Sequence, residues 1–270
     1  MRTTIQGVKV PSLGFGTFRL GGQTCRDAVL HALHIGYRHI DTAQMYDNEE
    51  FVGQALASSG VGREDYFLTT KIGNGNHAAP NVVSSTDESL RKLGVEYVDL
   101  LLIHWPIPTV PLGETLGAML DLQDQGKVRH IGLSNATSSI VAEAEKHARV
   151  FANQVEYHPL LGQERLRAMA LEHDFMLTAY SPLAMGKVAD YMVISDIAAE
   201  LGFSPMAVAL AWLLEQDKVV PIPKATSVDH IADNFTALDV RLSPEQIAAI
   251  DGLPKDRRLV NPSFAPDWDR

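Results

Sequence analysis

Apolar positions along the chain fall into two alternating patterns. Short, largely apolar runs occupy 12–18, 37–41, 66–72, 98–105, 128–135, 151–157, 175–181 and 219–224. Between and after them lie segments whose apolar residues recur every three or four positions: 24–36, 48–58, 80–93, 113–125, 137–147, 163–173, 189–201, 205–216 and 228–237. The first kind marks strands buried on both faces, the second amphipathic helices laid over them. Eight such units in one chain predict a (β/α)8 barrel of the TIM type rather than an open doubly wound sheet. Ahead of them, Thr3-Thr4-Ile5, Gln6-Gly7 and Val8-Lys9-Val10 predict a tight β-hairpin placed to plug one end of the barrel. Behind them, 238–270 adds a helix opening at Ser243-Pro244-Glu245 and then a Pro-rich tail. No linker, repeat or low-complexity stretch interrupts the pattern, so residues 1–270 are expected to form a single domain.

Composition narrows the partners. A formal net charge of -10 argues against nucleic acid or an anionic membrane, both of which call for basic surface. The single cysteine, Cys25, excludes internal disulfides and a Cys-rich metal site, and it suits a reducing compartment. The first residues lack the apolar stretch of a secretion signal, and no window is apolar for about 18 residues, the length of a span. A cytoplasmic monomer acting on a small molecule is the expectation.

Two stretches bear on chemistry. Gly14-Phe15-Gly16 could open a dinucleotide fingerprint, but Arg19 stands where the third glycine belongs and no helix starts at the second. The other is RHIDTAQMYDNEE, 38–50, which puts Asp41 at a strand end and Tyr46 in the loop beyond. In a barrel the C-terminal ends of the strands converge on one face. Those ends carry Lys71, His104, Ser134-Asn135, Gln154, Tyr157-His158, Tyr180-Ser181 and Lys224. Taken singly, such a histidine is ordinarily a hydrogen-bonded core residue and such a lysine a solvated one. Together, Asp41, Lys71, Tyr46 and His104 form a device for protonating an oxygen as it gains negative charge. The ammonium favours the ionised phenol, the carboxylate holds the ammonium, and a neutral imidazole bonds the incoming carbonyl oxygen. On this reading the ammonium lowers the pKa of Tyr46.

The segments HIDTAQMYDNE, LTTKI, LLIHWP, KVRHIGLSN, NQVEYHP, AYSPL and IPKATSVDHIADN, in this order and spacing, resemble the aldo-keto reductase family over almost the whole chain. The tail RLVNPSFAPDWD is similar to the bacterial 2,5-diketogluconate and methylglyoxal reductase branch. The resemblance implies a barrel that binds NADPH without a Rossmann fold and reduces a carbonyl by hydride transfer. It makes Tyr46 the general acid, Lys71 and Asp41 its tuners, and His104 the group that orients the substrate. Ser134, Asn135 and Gln154 would hold the nicotinamide carboxamide and Tyr180 would stack on its ring. Ser181 and Leu183 would meet the pyrophosphate, and Lys224, Ala225, Thr226, Ser227, His230 and Asn234 the adenosine end. Thr17 and Asp41 complete the cofactor set; Phe18, Tyr46, His104 and Trp105 form the substrate pocket.

Several positions depart from the family pattern. Gly73 and Ala136 stand where many relatives have aromatics, which predicts a wider, more polar pocket suited to small α-oxoaldehydes or keto-sugar acids. Ala225 replaces a usual serine and His230 a usual arginine, so some NADH use is expected beside NADPH. Two other classes compete with this reading. One is a metal-dependent barrel hydrolase or isomerase using His104, Glu156, His158 and Asp41; the other is a non-catalytic NADPH-binding module on the same fold.

Overall fold

A computed structural model describes residues 2–269. Strands β1 (Arg2–Ile5) and β2 (Val8–Pro11) pair antiparallel, with Ile5 opposite Val8. The two residues between them, Gln6 and Gly7, both have positive φ (49° and 82°), the backbone of a type I′ hairpin turn. Eight parallel strands follow: β3 (Phe15–Gly16), β4 (His39–Asp41), β5 (Phe67–Ile72), β6 (Val98–Ile103), β7 (Val128–Ser134), β8 (Ala152–Glu156), β9 (Met176–Tyr180) and β10 (Val219–Pro221). They lie side by side in chain order.

The barrel closes where β3 meets β10. The amide of Gly14 donates to the carbonyl of Pro221 (2.9 Å) and that of Gly16 to Pro223 (3.0 Å). A Cβ on Gly14 would stand 2.7 Å from the Ile222 side chain, and one on Gly16 would stand 2.9 Å from the Ile222 carbonyl. The glycine pair that imitates a dinucleotide fingerprint therefore serves the seam, where two backbones approach too closely for side chains.

The crossover helices are α1 (Gly22–Ile35), α2 (Glu49–Ser58), α3 (Ala79–Leu93), α4 (Leu112–Asp124), α5 (Ser138–Ala144), α6 (Glu164–His173), α7 (Met192–Leu201) and α8 (Pro205–Leu214). After β10 come α9 (Val228–Phe235) and α10 (Pro244–Asp251), each capped by a serine hydroxyl, Ser227 and Ser243; Gln246 reciprocates in a full capping box on α10. The helix predicted over 189–201 starts late. Ala184–Asp190 is a 3-10 segment with Met185 (φ 55°) and Gly186 (φ 88°) in the left-handed region, and α7 starts only at Met192. The strand predicted to run to residue 224 stops at Pro221. No single helix among the described residues is long and apolar enough to cross a membrane.

The largest core cluster joins the helices to the outward faces of the strands, and a second fills the lower barrel interior. In that second cluster Ile5 and Val10 of the hairpin meet Phe67, Leu100, Leu102, Phe151, Met176 and Val220, so the hairpin does plug the N-terminal end.

Candidate active site

Side chains alternate along a strand with period two, so His39 and Asp41 share one face of β4, and Phe67, Thr69 and Lys71 one face of β5. Asp41 and Lys71 emerge at the C-terminal mouth, fully buried, with Lys71 Nζ donating to Asp41 Oδ1 at 2.5 Å and to the Thr42 carbonyl at 2.8 Å. Lys71 Nζ lies 3.3 Å from Tyr46 Oη, and the Tyr46 ring meets the His104 ring edge-on at 5.5 Å between centroids. The four residues that strand order predicts to converge do so.

Burial works against the Lys71 charge, but Asp41 and Tyr46 outweigh it and raise the pKa of the ammonium. On Asp41 burial is the strongest influence and pushes the carboxyl up; the Lys71 charge and donors from Lys71 and Gln154 oppose it. For Tyr46 the balance runs against the reading from the sequence. Burial raises its pKa, and the opposing charge of Lys71 does not bring it below the ordinary phenol value. The phenol thus holds its proton more tightly than a free one, while Lys71 keeps its anion accessible. Burial and the nearby Lys71 charge lower the His104 pKa to about 3, so its imidazole is neutral.

Around these four the side chains interlock. Gln154 Nε2 donates to Asp41 Oδ2 (2.7 Å), Asn135 Nδ2 to the His104 carbonyl (3.0 Å) and to Ser134 Oγ (3.1 Å), and Tyr180 Oη to Asn135 Oδ1 (2.8 Å). Asn135 has φ 59°, a left-handed conformation that asparagine tolerates better than most residues. Thr17 is buried below the mouth, donating its hydroxyl to the Asp41 carbonyl at 3.0 Å.

A cleft of about 650 Å³ opens over this floor, within the usual size for a cofactor or ligand site. Of the residues expected at the site, Phe18, Asp41, Tyr46, His104, Trp105, Ser134, Asn135, Gln154, Tyr180, Ser181, Leu183 and Lys224 line it. Lys71 lies beneath it. Thr226, Ser227 and His230 are exposed, Ala225 and Asn234 are buried, and none of these five reaches the cleft wall. They belong instead to the approach to α9 and its first two turns, where Ser227 Oγ caps the amide of His230 (3.2 Å).

Sequence reasoning missed Arg19, Met45, Met185 and Val260 in the wall. Arg19 was legible only as a missing glycine; its positive φ (62°) turns it to the mouth, with its guanidinium over the Phe18 ring. Val260 comes from the tail, whose course no local pattern reveals. The Leu259 and Val260 amides donate to the buried carboxylate of Glu156 (2.8 and 2.9 Å). Phe264 and Trp268 beyond them pack edge-on against Trp105.

Neither position that lacks the aromatic of many relatives, Gly73 or Ala136, lines the cleft. Ala136 is buried in the core and hydrogen-bonded to Asn153, so it forms no part of the rim. The tail contributes Val260 to the wall and backs Trp105 with Phe264 and Trp268, and most of the cleft lining is apolar over a polar floor. Nor do the residues of the competing metal reading converge. Leu160 donates its amide to His158 Nδ1, so His158 Nε2 carries the proton it gives to Glu156 (2.9 Å), while Asp41 is held by Lys71. Among the described residues no three His, Cys, Asp or Glu side chains are grouped to hold a metal ion.

A parallel eight-stranded barrel with a buried carboxylate–ammonium–phenol–imidazole set at its C-terminal mouth defines a class of enzyme that delivers a proton to a bound oxygen. Sequence comparison specifies the class. The model of the aldo/keto reductase family matches residues 12–255. A methylglyoxal reductase DkgB of Escherichia coli O157:H7 is 40% identical over 266 residues, covering 96% of this chain and 99% of the relative. An aldo-keto reductase of Mycolicibacterium paratuberculosis is 39% identical over 256 residues, 94% of this chain and 89% of the relative. Among solved structures, one assigned as a 2,5-diketo-D-gluconic acid reductase B superposes with a TM-score of 0.97 at 40% identity, over 100% of this chain and 98% of that one. An aldo-keto reductase of Bombyx mori in complex with NADP superposes at 0.91 and 33% identity, over 99% and 97% of the two chains. The chain belongs to the aldo/keto reductase family, and it is an NAD(P)H-dependent carbonyl reductase.

Proposed function

We propose that the protein reduces small, polar aldehydes or ketones of the α-oxoaldehyde or keto-sugar-acid class with NADPH, with Tyr46 as the proton donor. The observation that carries this reading is the 3.3 Å approach of Lys71 Nζ to Tyr46 Oη, with Asp41 holding the ammonium from the far side. Bound NADPH supplies the hydride. The chain's own part is to place the carbonyl and its proton. His104 Nδ1 is buried without a hydrogen-bond partner, which leaves Nε2 as the ring nitrogen that can donate to the carbonyl oxygen. As that oxygen gains negative charge, the Tyr46 proton passes to it, and Lys71 stabilises the phenolate left behind.

The cleft suits the cofactor's parts. Ser134, Asn135 and Gln154 at its floor offer both donors and acceptors to a carboxamide, and Tyr180 offers a ring face. Ser181, Ala184 and Met185, all with positive φ, bend the next loop around the cleft, a strain of about 1–3 kcal/mol per residue of the kind that marks ligand clamps. Lys224 and Arg19 flank the mouth as cations, and the N-terminus of α9 with His230 suits an anion such as a ribose phosphate. The protein is proposed to act as a single-domain cytoplasmic monomer; a free, buried Cys25 is compatible with a reducing compartment.

The test is Tyr46→Phe. It should lower kcat for methylglyoxal by about 10²–10⁴-fold, the worth of general acid catalysis, with NADPH affinity measured by fluorescence unchanged. A variant keeping more than a tenth of wild-type kcat would remove Tyr46 from the role.

A further inference from the structure

Tyr46 does not sit on a strand or a full helix. It ends a single 3-10 turn, Gln44–Tyr46, closed by the Tyr46 amide bonding the Ala43 carbonyl at 3.0 Å. One such turn is marginal by itself, so its position must come from side chains around it. Two side chains supply it. On one flank Asn48, fully buried, accepts from Thr42 Oγ1 (2.7 Å) and donates to the carbonyls of Thr17 and Leu20 (both 2.9 Å). On the other flank is Gln44, and its bonds form a closed path.

Gln44 Oε1 accepts from the Gly73 amide (2.8 Å) and from Asn76 Nδ2 (3.0 Å). Its Nε2 donates to Ser89 Oγ on α3 (3.2 Å). Ser89 Oγ in turn donates to Glu49 Oε2 (3.2 Å), and Thr70 Oγ1 donates to Glu49 Oε1 (2.6 Å). Thr70, Ser89 and Glu49 are all buried. The path leaves β5 at Thr70, passes behind the barrel wall through Glu49, Ser89 and Gln44, and returns to the same chain at Gly73. It therefore brackets Lys71 on both sides and attaches the bracket two residues ahead of Tyr46.

We propose that Gln44 is a positioning residue that sets the separation of the Tyr46 hydroxyl from the Lys71 ammonium, through the Gly73–Gln44–Ser89–Glu49–Thr70 hydrogen-bond path. The physical reason is the steepness of the interaction it controls. The influence of a cation on a phenol a few ångströms away falls with distance, and a displacement of about 1 Å at a reacting group can cost on the order of a hundredfold in rate. Gln44 does not line the cleft. It acts by joining the acid's turn to the strand end that carries the ammonium.

The inference rests on Tyr46 being the acid, and the test keeps the two apart. Gln44→Met keeps the side-chain length and removes all three polar bonds; Gln44→Glu keeps the acceptor for Gly73 and Asn76. Each is compared with wild type and with Tyr46→Phe by steady-state kinetics, NADPH affinity, and NMR of isotope-labelled tyrosine in the cofactor-free protein. Gln44→Met should lose about tenfold or more in kcat, with KM and NADPH affinity within about twofold, and should shift both the Tyr46 resonance and the alkaline limb of the kcat profile. Gln44→Glu should recover a large part of that kcat. Wild-type kcat and an unmoved Tyr46 resonance in Gln44→Met would overturn the proposal, as would a Gln44→Glu variant no better than Gln44→Met. If Tyr46→Phe itself retains kcat, the acid assignment has failed, and the Tyr46 resonance still reports whether Gln44 positions the turn.

Discussion

At its N-terminal end the barrel interior is filled by Phe67, Leu100, Leu102, Met176 and Val220 under the hairpin residues Ile5 and Val10. Toward the C-terminal end of the barrel, the interior holds Asp41, Lys71 and Gln154, no more exposed but joined by ionic and amide bonds. The lower layer gains from every methylene removed from water. The upper layer is expensive, because taking a carboxylate and an ammonium out of water costs several kcal/mol per ion before their attraction is counted. One end of the barrel is thus built for stability and the other holds charge where stability alone would not place it.

The comparison is broken most forcefully at Lys71. Lys71→Met leaves Asp41 buried without its partner, which should cost about 3–5 kcal/mol of stability, and removes the charge that supports the Tyr46 anion. Adding Asp41→Leu should restore most of the melting temperature and none of the reductase activity. A double variant as unstable as the single would show that the ion pair itself holds the upper layer together.

Leu102→Ala probes the opposite end. It should lower stability by about 2–5 kcal/mol in denaturant titration, the cost of a buried leucine, with kcat/KM unchanged within about twofold. A comparable fall in kcat/KM would mean that the lower layer positions the mouth.

Two buried histidines sharpen the contrast through pH. Burial first, and the Lys71 charge second, lower the pKa of both His39 and His104 to about 3. Between an unfolded value near 6.5 and that folded value the unfolded chain binds protons the native one does not. Stability therefore falls as pH drops through this window, by about 1.4 kcal/mol per pH unit for each histidine. Replacing His39 with Gln should flatten the slope measured by denaturation across that range. An unchanged slope would mean that His39 titrates alike in both states.

The smallest effect is expected outside the barrel interior, at the exposed start of α9. Arginine at position 230 would carry a permanent charge and a two-point grip on phosphate, where histidine carries charge only when protonated. His230→Arg should raise the NADPH-to-NADH ratio of kcat/KM. A ratio unchanged by the substitution would show that position 230 makes no contact with the phosphate.

What could be read from the chain alone followed from short-range periodicity. The alternation of apolar runs and amphipathic segments contained the barrel, and strand ends identified Asp41, Lys71 and His104, because period two and strand order leave little freedom in where such residues emerge. Local chemistry also marked Tyr46 as a loop residue and Ser243 as a helix cap. The tertiary structure alone decided what depends on approach between distant segments. Gly14 and Gly16 lie at the barrel seam because β10 crosses them, some two hundred residues later. Glu156 serves the tail, because Leu259 and Val260 bring their amides to it. The direction of the Tyr46 pKa depended on how deeply the phenol is enclosed against one ammonium, a balance of desolvation and Coulomb attraction that residue spacing does not encode.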